Sequence, residues 1–166
     1  MTDKELIQWA NDALTPYRER AIDMWRLHRK IQEYSEEITE LHSSAPYSDT
    51  MVKVQTSLNV SKTEEKVINL LMMKEKLVTL LYIHCTEDAK VFNLIEKDLP
   101  TRLECALTYK YYMGYTIEKT AQTMHTCPNT INRWVKQGLL EYGRKYYRES
   151  ENSPNMDVLE GLDDGL

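Results

Sequence analysis

Polar and basic side chains recur along residues 129–137 at the spacing of one helix face. Asn and Gln amides can pair with adenine, an Arg guanidinium can pair with guanine, and a Thr methyl group can contact thymine. The major groove of DNA accommodates an α-helix that carries such groups. The pattern therefore predicts a face that reads DNA bases. Its members are Asn129, Thr130, Asn132, Arg133, Lys136 and Gln137.

The same segment has an apolar side, which predicts that the helix packs on a core. Lys136, Arg144, Lys145 and Arg148 suit phosphate contacts because they are cations beside or beyond the reading face. Any one of Asn129, Asn132 or Lys136 taken alone is better explained as part of an ordinary solvated helix surface. The combination favours DNA contact. The residues predicted to point inward are Ile131, Trp134, Val135, Gly138, Leu139 and Tyr142.

Three short helices are predicted to position this face. Residues 101–113 form the first and end at Gly114, a preferred residue after a helix C-terminus. Thr116 caps the second helix, and a turn of three residues leads to Pro128, which opens the third at a first-turn position. Thr116 and Pro128, at the starts of two helices, complete the set of predicted DNA-contacting residues.

These segments resemble a known family. The run TRLECALTYKYYMGYTIEKTAQTM at residues 101–124, followed by CPNTINRW at 127–134, resembles region 4 of sigma factors. With SKTEEKV at 61–67, the chain is similar to the RinA and ArpU family of phage late transcription regulators. The resemblance covers residues 16–147. It implies a sequence-specific regulator that binds double-stranded promoter DNA and activates late packaging and structural genes with bacterial RNA polymerase.

Two positions depart from that family pattern. Cys127 stands where sigma-like units usually carry a capping serine, and Gly138 stands where alanine is common. Glycine inside a helix costs roughly 1 kcal/mol relative to alanine. Neither departure touches the predicted reading face.

The charge is distributed unevenly along the chain. The net charge of the 166 residues is -5, but residues 100–148 carry eight Lys and Arg against three Glu, for a net charge of +5. Residues 149–166 carry six acidic residues and no basic one, and have too few apolar residues to fold alone. The predicted DNA-binding region is therefore basic, and an acidic disordered tail masks it in the overall charge.

The remaining segments predict an all-α fold, with an N-terminal helical arm and a long central helix before the helix-turn-helix. We expect a short helix at residues 4–14, a restart at Pro16 and a long helix to residue 41. Residues 42–60 form a linker, and Ser61 and Glu64 form a capping box that opens the central helix. The predicted domains are residues 1–60, 61–148 and 149–166. We expect self-association as a dimer, because two-fold symmetric proteins double their DNA half-sites.

Other classes of function are disfavoured. We expect no catalysis, cofactor or metal: phosphate-loop and nucleophile motifs do not occur, and Cys85, Cys105 and Cys127 lack zinc-site spacing. We expect Cys85 and Cys105 to be buried free thiols, and the chain to be cytoplasmic, with no membrane span. Two alternatives remain: a small terminase-like subunit that recognises DNA for packaging, and a structural adaptor whose basic helix binds an acidic protein.

Overall fold

The fold was obtained as a computed structural model that describes residues 2–43 and 57–152, with side chains at 2–40 and 64–147. The described residues contain no strand, which confirms the all-α prediction. Two longer helices precede a group of shorter ones, and two widened π-helical turns, His84–Asp88 and Thr108–Tyr112, interrupt the series. The helices are α1 (Asp3–Ser43), α2 (Ser57–Ile83), α3 (Ala89–Asp98), α4 (Thr101–Leu107), α5 (Ile117–Thr123) and α6 (Pro128–Asn152).

The predicted break at Pro16 is wrong, because α1 continues through it. A proline inside a helix removes one backbone hydrogen bond and costs about 3 kcal/mol. Packing offsets that cost: Leu14 before the proline is fully buried, and Tyr17 after it packs on the same apolar cluster. The Thr15 hydroxyl also donates to the Asn11 carbonyl oxygen at 2.7 Å, so it does not cap a new helix.

The central helix begins earlier than predicted. Since α2 starts at Ser57, Ser61 and Glu64 lie inside the helix and do not form its N-terminal cap. α3 stops at Asp98, two residues before Pro100, because a proline disfavours helical dihedrals at the residue before it, Leu99. The predicted linker lies outside the described residues between positions 44 and 56, but its ends, residues 42–43 and 57–60, are helical. Residues 149–152 of the predicted disordered tail belong to α6, and residues 153–166 lie outside the described residues.

The contacts divide the chain into two compact units, residues 1–18 with 90–166, and residues 19–89. This division differs from the predicted domains, because the start of α1 packs on the C-terminal helices and not with an arm. The core of the first unit draws on five helices, α1, α3, α4, α5 and α6, and on the π-helical turn Thr108–Tyr112. Its fully buried members include Ala10, Leu14, Ile95, Leu103, Ala106, Leu107 and Ile131.

The second unit is an antiparallel helix pair. Arg20 near its start forms a 2.9 Å ion pair with Asp88, and Glu37 forms a 2.8 Å ion pair with Lys66. The His84 ring also approaches Asp88, with 3.2 Å between Nδ1 and Oδ2, inside the π-helical turn. Where side chains are described, the residues that this unit buries are Ala21, Ile31, His84 and Asp88. It therefore has little apolar core of its own.

Further findings concern membranes, metals and cysteines. Across the described residues, no helix combines the length and apolar character that crossing a bilayer requires. The same residues hold no group of three or more potential metal ligands. The three cysteines are free thiols, but Cys85 is exposed and Cys105 half-buried, so the expectation that both are buried is wrong. Cys85 lies on the outer side of the helix that carries it.

Candidate nucleic-acid interface

The segment that connects α4 to α5 precedes the predicted interface. Thr108–Tyr112 forms a π-helical turn, and the chain then reverses at Gly114, whose φ of 70° lies in the left-handed region that favours glycine. The Tyr115 amide donates to the Tyr109 carbonyl oxygen at 2.9 Å, and the two rings stack. The predicted end of this segment at Gly114 is therefore confirmed.

α5 begins at the predicted cap. The Thr116 hydroxyl accepts a hydrogen bond from the Lys119 amide at 3.2 Å, and its backbone is extended. This bond satisfies one of the free N–H groups at the helix start. The Thr116 side chain is exposed, but its hydroxyl serves the fold of α5.

The connection from α5 to α6 is short and held by backbone bonds. His125 adopts a left-handed φ of 50°, and the Thr126 amide donates to the Ala121 carbonyl oxygen at 2.9 Å. The Cys127 carbonyl oxygen accepts from the Thr130 amide at 3.0 Å, so Cys127 occupies the capping position. Pro128 is the first residue of α6, as predicted.

One side of α6 is buried in the core of its unit. Ile131, Val135 and Leu139 have at most 4% of their surface exposed, and Trp134 and Tyr142 pack beside them. α6 contacts both α4 and α5 through this side. The inward set predicted from the sequence is therefore confirmed.

The opposite side of α6 carries the predicted reading face. Five of its six residues are exposed, and Thr130 is half-buried. Their spacing of three and four places them on one surface over the first three turns. The exposed members are Asn129, Asn132, Arg133, Lys136 and Gln137.

Two of the polar side chains near this face have partners within the chain. The Gln137 amide donates to Glu141 Oε1 at 3.4 Å, a long bond on an exposed surface. The Thr130 hydroxyl lies 3.0 Å from Cys127 Sγ. This hydrogen bond, with the backbone N–H groups of the first turn of α6, lowers the pKa of the Cys127 thiol below its ordinary value. Both the hydroxyl and the backbone amide of Thr130 therefore take part in the cap at the start of α6.

The predicted phosphate contacts at the far end of α6 form ion pairs instead of standing free. Arg144 lies 3.0 Å from Asp3, and Lys145 lies 2.6 Å from Asp98. Tyr146 also donates a hydrogen bond to Asp98. The bonds from Lys145 and Tyr146 hold the pKa of the Asp98 carboxyl below its usual range. Arg144 also lies about 16 Å along the helix from Arg133, since each residue rises 1.5 Å.

The close fit of α6 against the start of α1 explains Gly143. A Cβ atom at this position would lie 2.9 Å from the Leu6 carbonyl oxygen. Trp9 stacks on Tyr142 at 6.1 Å between ring centroids and meets Tyr147 edge to face at 5.4 Å. The N-terminal residues thereby hold α6 in place.

Sequence reasoning did not select Lys119 or the two acidic partners. Lys119 is exposed in the first turn of α5, with its ammonium group 6.0 Å from the centre of the Tyr115 ring. Its position three residues after the capping Thr116 places it in the first turn of α5, and this was the sequence signal that could have identified it. Asp3 and Asp98 gave no signal, since neither is near α6 in sequence.

No family model, no curated protein and no solved structure matches the chain.

Proposed function

We propose that the chain is a sequence-specific regulator that binds double-stranded DNA, with α5 and α6 forming a helix-turn-helix and α6 entering the major groove. The observation that supports this most is the two-sided character of α6. Five exposed polar or basic residues lie on one face of its first three turns, opposite a buried apolar row. That face offers amide and guanidinium groups, which are the groups that discriminate bases.

The roles within the interface differ by position. Arg133, with Asn129 and Asn132 near the helix start, makes the base contacts. Lys136 and Lys119 contact phosphates, because each is an exposed cation without a carboxylate bonded to it in the described structure. Arg144 and Lys145 join them when DNA is bound, since their exposed ion pairs contribute little and phosphate can displace them.

The biological setting follows from the resemblance at residues 16–147. The chain would act in the bacterial cytoplasm as a phage late-gene activator, with bacterial RNA polymerase as its protein partner. Double-stranded promoter DNA is its ligand, and it requires no cofactor or metal.

The test compares two variants on two kinds of DNA. Arg133→Ala should weaken binding to an enriched specific site by about 1 to 3 kcal/mol and leave binding to random DNA almost unchanged. Lys136→Ala should weaken both alike and lower the slope of log affinity against log salt by about 1. Arg29→Ala is the matched control, because Arg29 is exposed on α1 and faces Glu33 at 3.8 Å.

Affinities measured by fluorescence anisotropy over several salt concentrations separate these effects. Equal losses on specific and random DNA for Arg133→Ala would contradict a base-reading role. Unchanged binding in both α6 variants would remove the interface altogether.

A further inference from the structure

α2 exposes an unusual amount of apolar surface. Leu71, Met72 and Val78 are 60%, 63% and 65% exposed, and Tyr82 is 69% exposed. Monomeric proteins rarely expose contiguous apolar patches larger than a few hundred Å². We name this surface the outer stripe. It consists of Val67, Ile68, Leu71, Met72, Val78, Leu81 and Tyr82, with Lys74 and Glu75 at its centre.

α2 has a second apolar side, which α1 covers. Leu70, Met73, Leu77 and Leu80 are half-buried and recur at threes and fours. Leu80 lines a hollow shared with Leu27 of α1. A helix that is apolar on two sides needs two partner surfaces. The antiparallel helix pair of residues 19–89 supplies one of them.

The outer stripe is symmetric about its own centre. Its layers are residues 67–68, 71–72, 74–75, 78 and 81–82, so that apolar layers lie about 3 and about 7 residues from the bond between Lys74 and Glu75 on either side. A second α2 that runs antiparallel would place layer 67–68 against 81–82 and layer 71–72 against 78. Every apolar layer would then meet an apolar layer, as a two-fold interface requires.

The charges at the centre select the antiparallel direction. Lys74 of one copy would lie beside Glu75 of the other, and the two-fold axis repeats that contact. A parallel pairing in register would set Lys74 against Lys74 and Glu75 against Glu75, which is unfavourable. The charges are therefore complementary only in the antiparallel arrangement.

We propose that the outer stripe binds the same stripe of a second copy of this chain, antiparallel, with the two-fold axis at Lys74 and Glu75. Two antiparallel helix pairs then form a four-helix bundle. The stripe presents seven exposed apolar side chains per copy, and a standard interface buries roughly 800 Å² per partner with its polar flanks included. The sequence predicts a dimer without assigning the surface that forms it, and the proposal assigns that surface to α2.

The first experiment measures mass in solution by light scattering. The purified full chain should have twice the mass of one 19.6 kDa chain. The double variant Leu71→Glu with Val78→Glu should be monomeric, with an unchanged circular dichroism spectrum because both positions are exposed. Leu94→Glu, at a residue 49% exposed on α3, is the matched control and should stay dimeric. A monomeric or ring-forming wild type, or a dimeric double variant, would overturn the proposal.

A charge exchange tests the centre of the stripe. Lys74→Glu gathers four carboxylates there and should raise the dimer Kd roughly tenfold, whereas Lys74→Glu combined with Glu75→Lys should restore it. An unchanged Kd in the single variant, or no rescue in the double, would contradict the proposed axis.

Disulfide formation tests the direction. When a Leu71→Cys chain and a Val78→Cys chain are mixed and oxidised, peptide mass mapping should find disulfides that join the two different positions. A disulfide that joins position 71 of one Leu71→Cys chain to position 71 of another would show a parallel pairing. None of these measurements uses DNA, so their failure would leave the proposed DNA-reading face untouched.

Discussion

The two compact units differ in how they use apolar residues. Residues 1–18 with 90–147 bury thirteen apolar residues in one cluster, which is enough to set α6 firmly between α4, α5 and the start of α1. In residues 19–40 and 64–89, the buried apolar residues are Ala21 and Ile31, and most of the large apolar side chains of α2 are exposed. The first unit buries its apolar residues in a core of its own, whereas the second leaves most of the large apolar side chains of α2 exposed.

The largest expected effect contrasts two leucine truncations. Leu103→Ala removes a fully buried side chain from the first unit and should lower the free energy of unfolding by about 2 to 5 kcal/mol. Leu71→Ala, at a residue 60% exposed, should change it by less than about 0.5 kcal/mol in dilute protein. Urea unfolding followed by circular dichroism measures both. Comparable losses would mean that the two units do not differ as described.

The next effect concerns close packing inside the first unit. Gly143→Ala should destabilise it by about 1 to 3 kcal/mol, because the new Cβ meets the Leu6 backbone oxygen at 2.9 Å. Gly138→Ala should cost less, since its Cβ would lie 3.1 Å from the movable Leu107 side chain and alanine favours the helix by about 1 kcal/mol. Thermal melts of the two variants show which substitution lowers the stability more. A reversed order would show that α6 does not rest on the Leu6 backbone.

A smaller effect appears at alkaline pH. Burial raises the pKa of Tyr142 to about 12 from 10.0, so the unfolded phenol ionises first. Stability from this group is fully present below pH 10 and falls as the pH rises from about 10 to about 12. Tyr142→Phe should reduce this alkaline loss of stability. Tyr82→Phe, at a position exposed in the single chain, should leave the loss unchanged in protein dilute enough to be monomeric. Urea unfolding midpoints at pH 9 and pH 11.5 measure the loss of stability in each variant. Identical losses in the two variants would show that Tyr142 is not the group responsible.

The boundaries of the C-terminal helices could be predicted because packing there does not oppose the local sequence signals. Gly114, Thr116 and Pro128 each fix a boundary through a φ value, a hydroxyl or a missing N–H, and all three boundaries are observed. Pro16 and Ser61 carry the same kinds of signal, but the helices run through both, because packing along a long helix outweighs one local preference.

The candidate site could be predicted in part. The inward and outward faces of α6 follow from helical spacing, so their residues are read correctly from the sequence. The ion pairs of Arg144 with Asp3 and of Lys145 with Asp98 could not be predicted, because they join residues that are far apart in the chain. The exposure of α2 was missed for a related reason: a dense apolar run predicts burial, and periodicity does not say whether the partner is within the chain.

The most direct test of the account is a selection of genomic fragments by the purified full chain, followed by binding to any enriched site across a range of salt concentrations. The account predicts one enriched site upstream of a packaging or structural operon, with a preference over random DNA that Arg133→Ala abolishes. No enrichment, with equal affinity for all fragments, would contradict sequence-specific reading by α6.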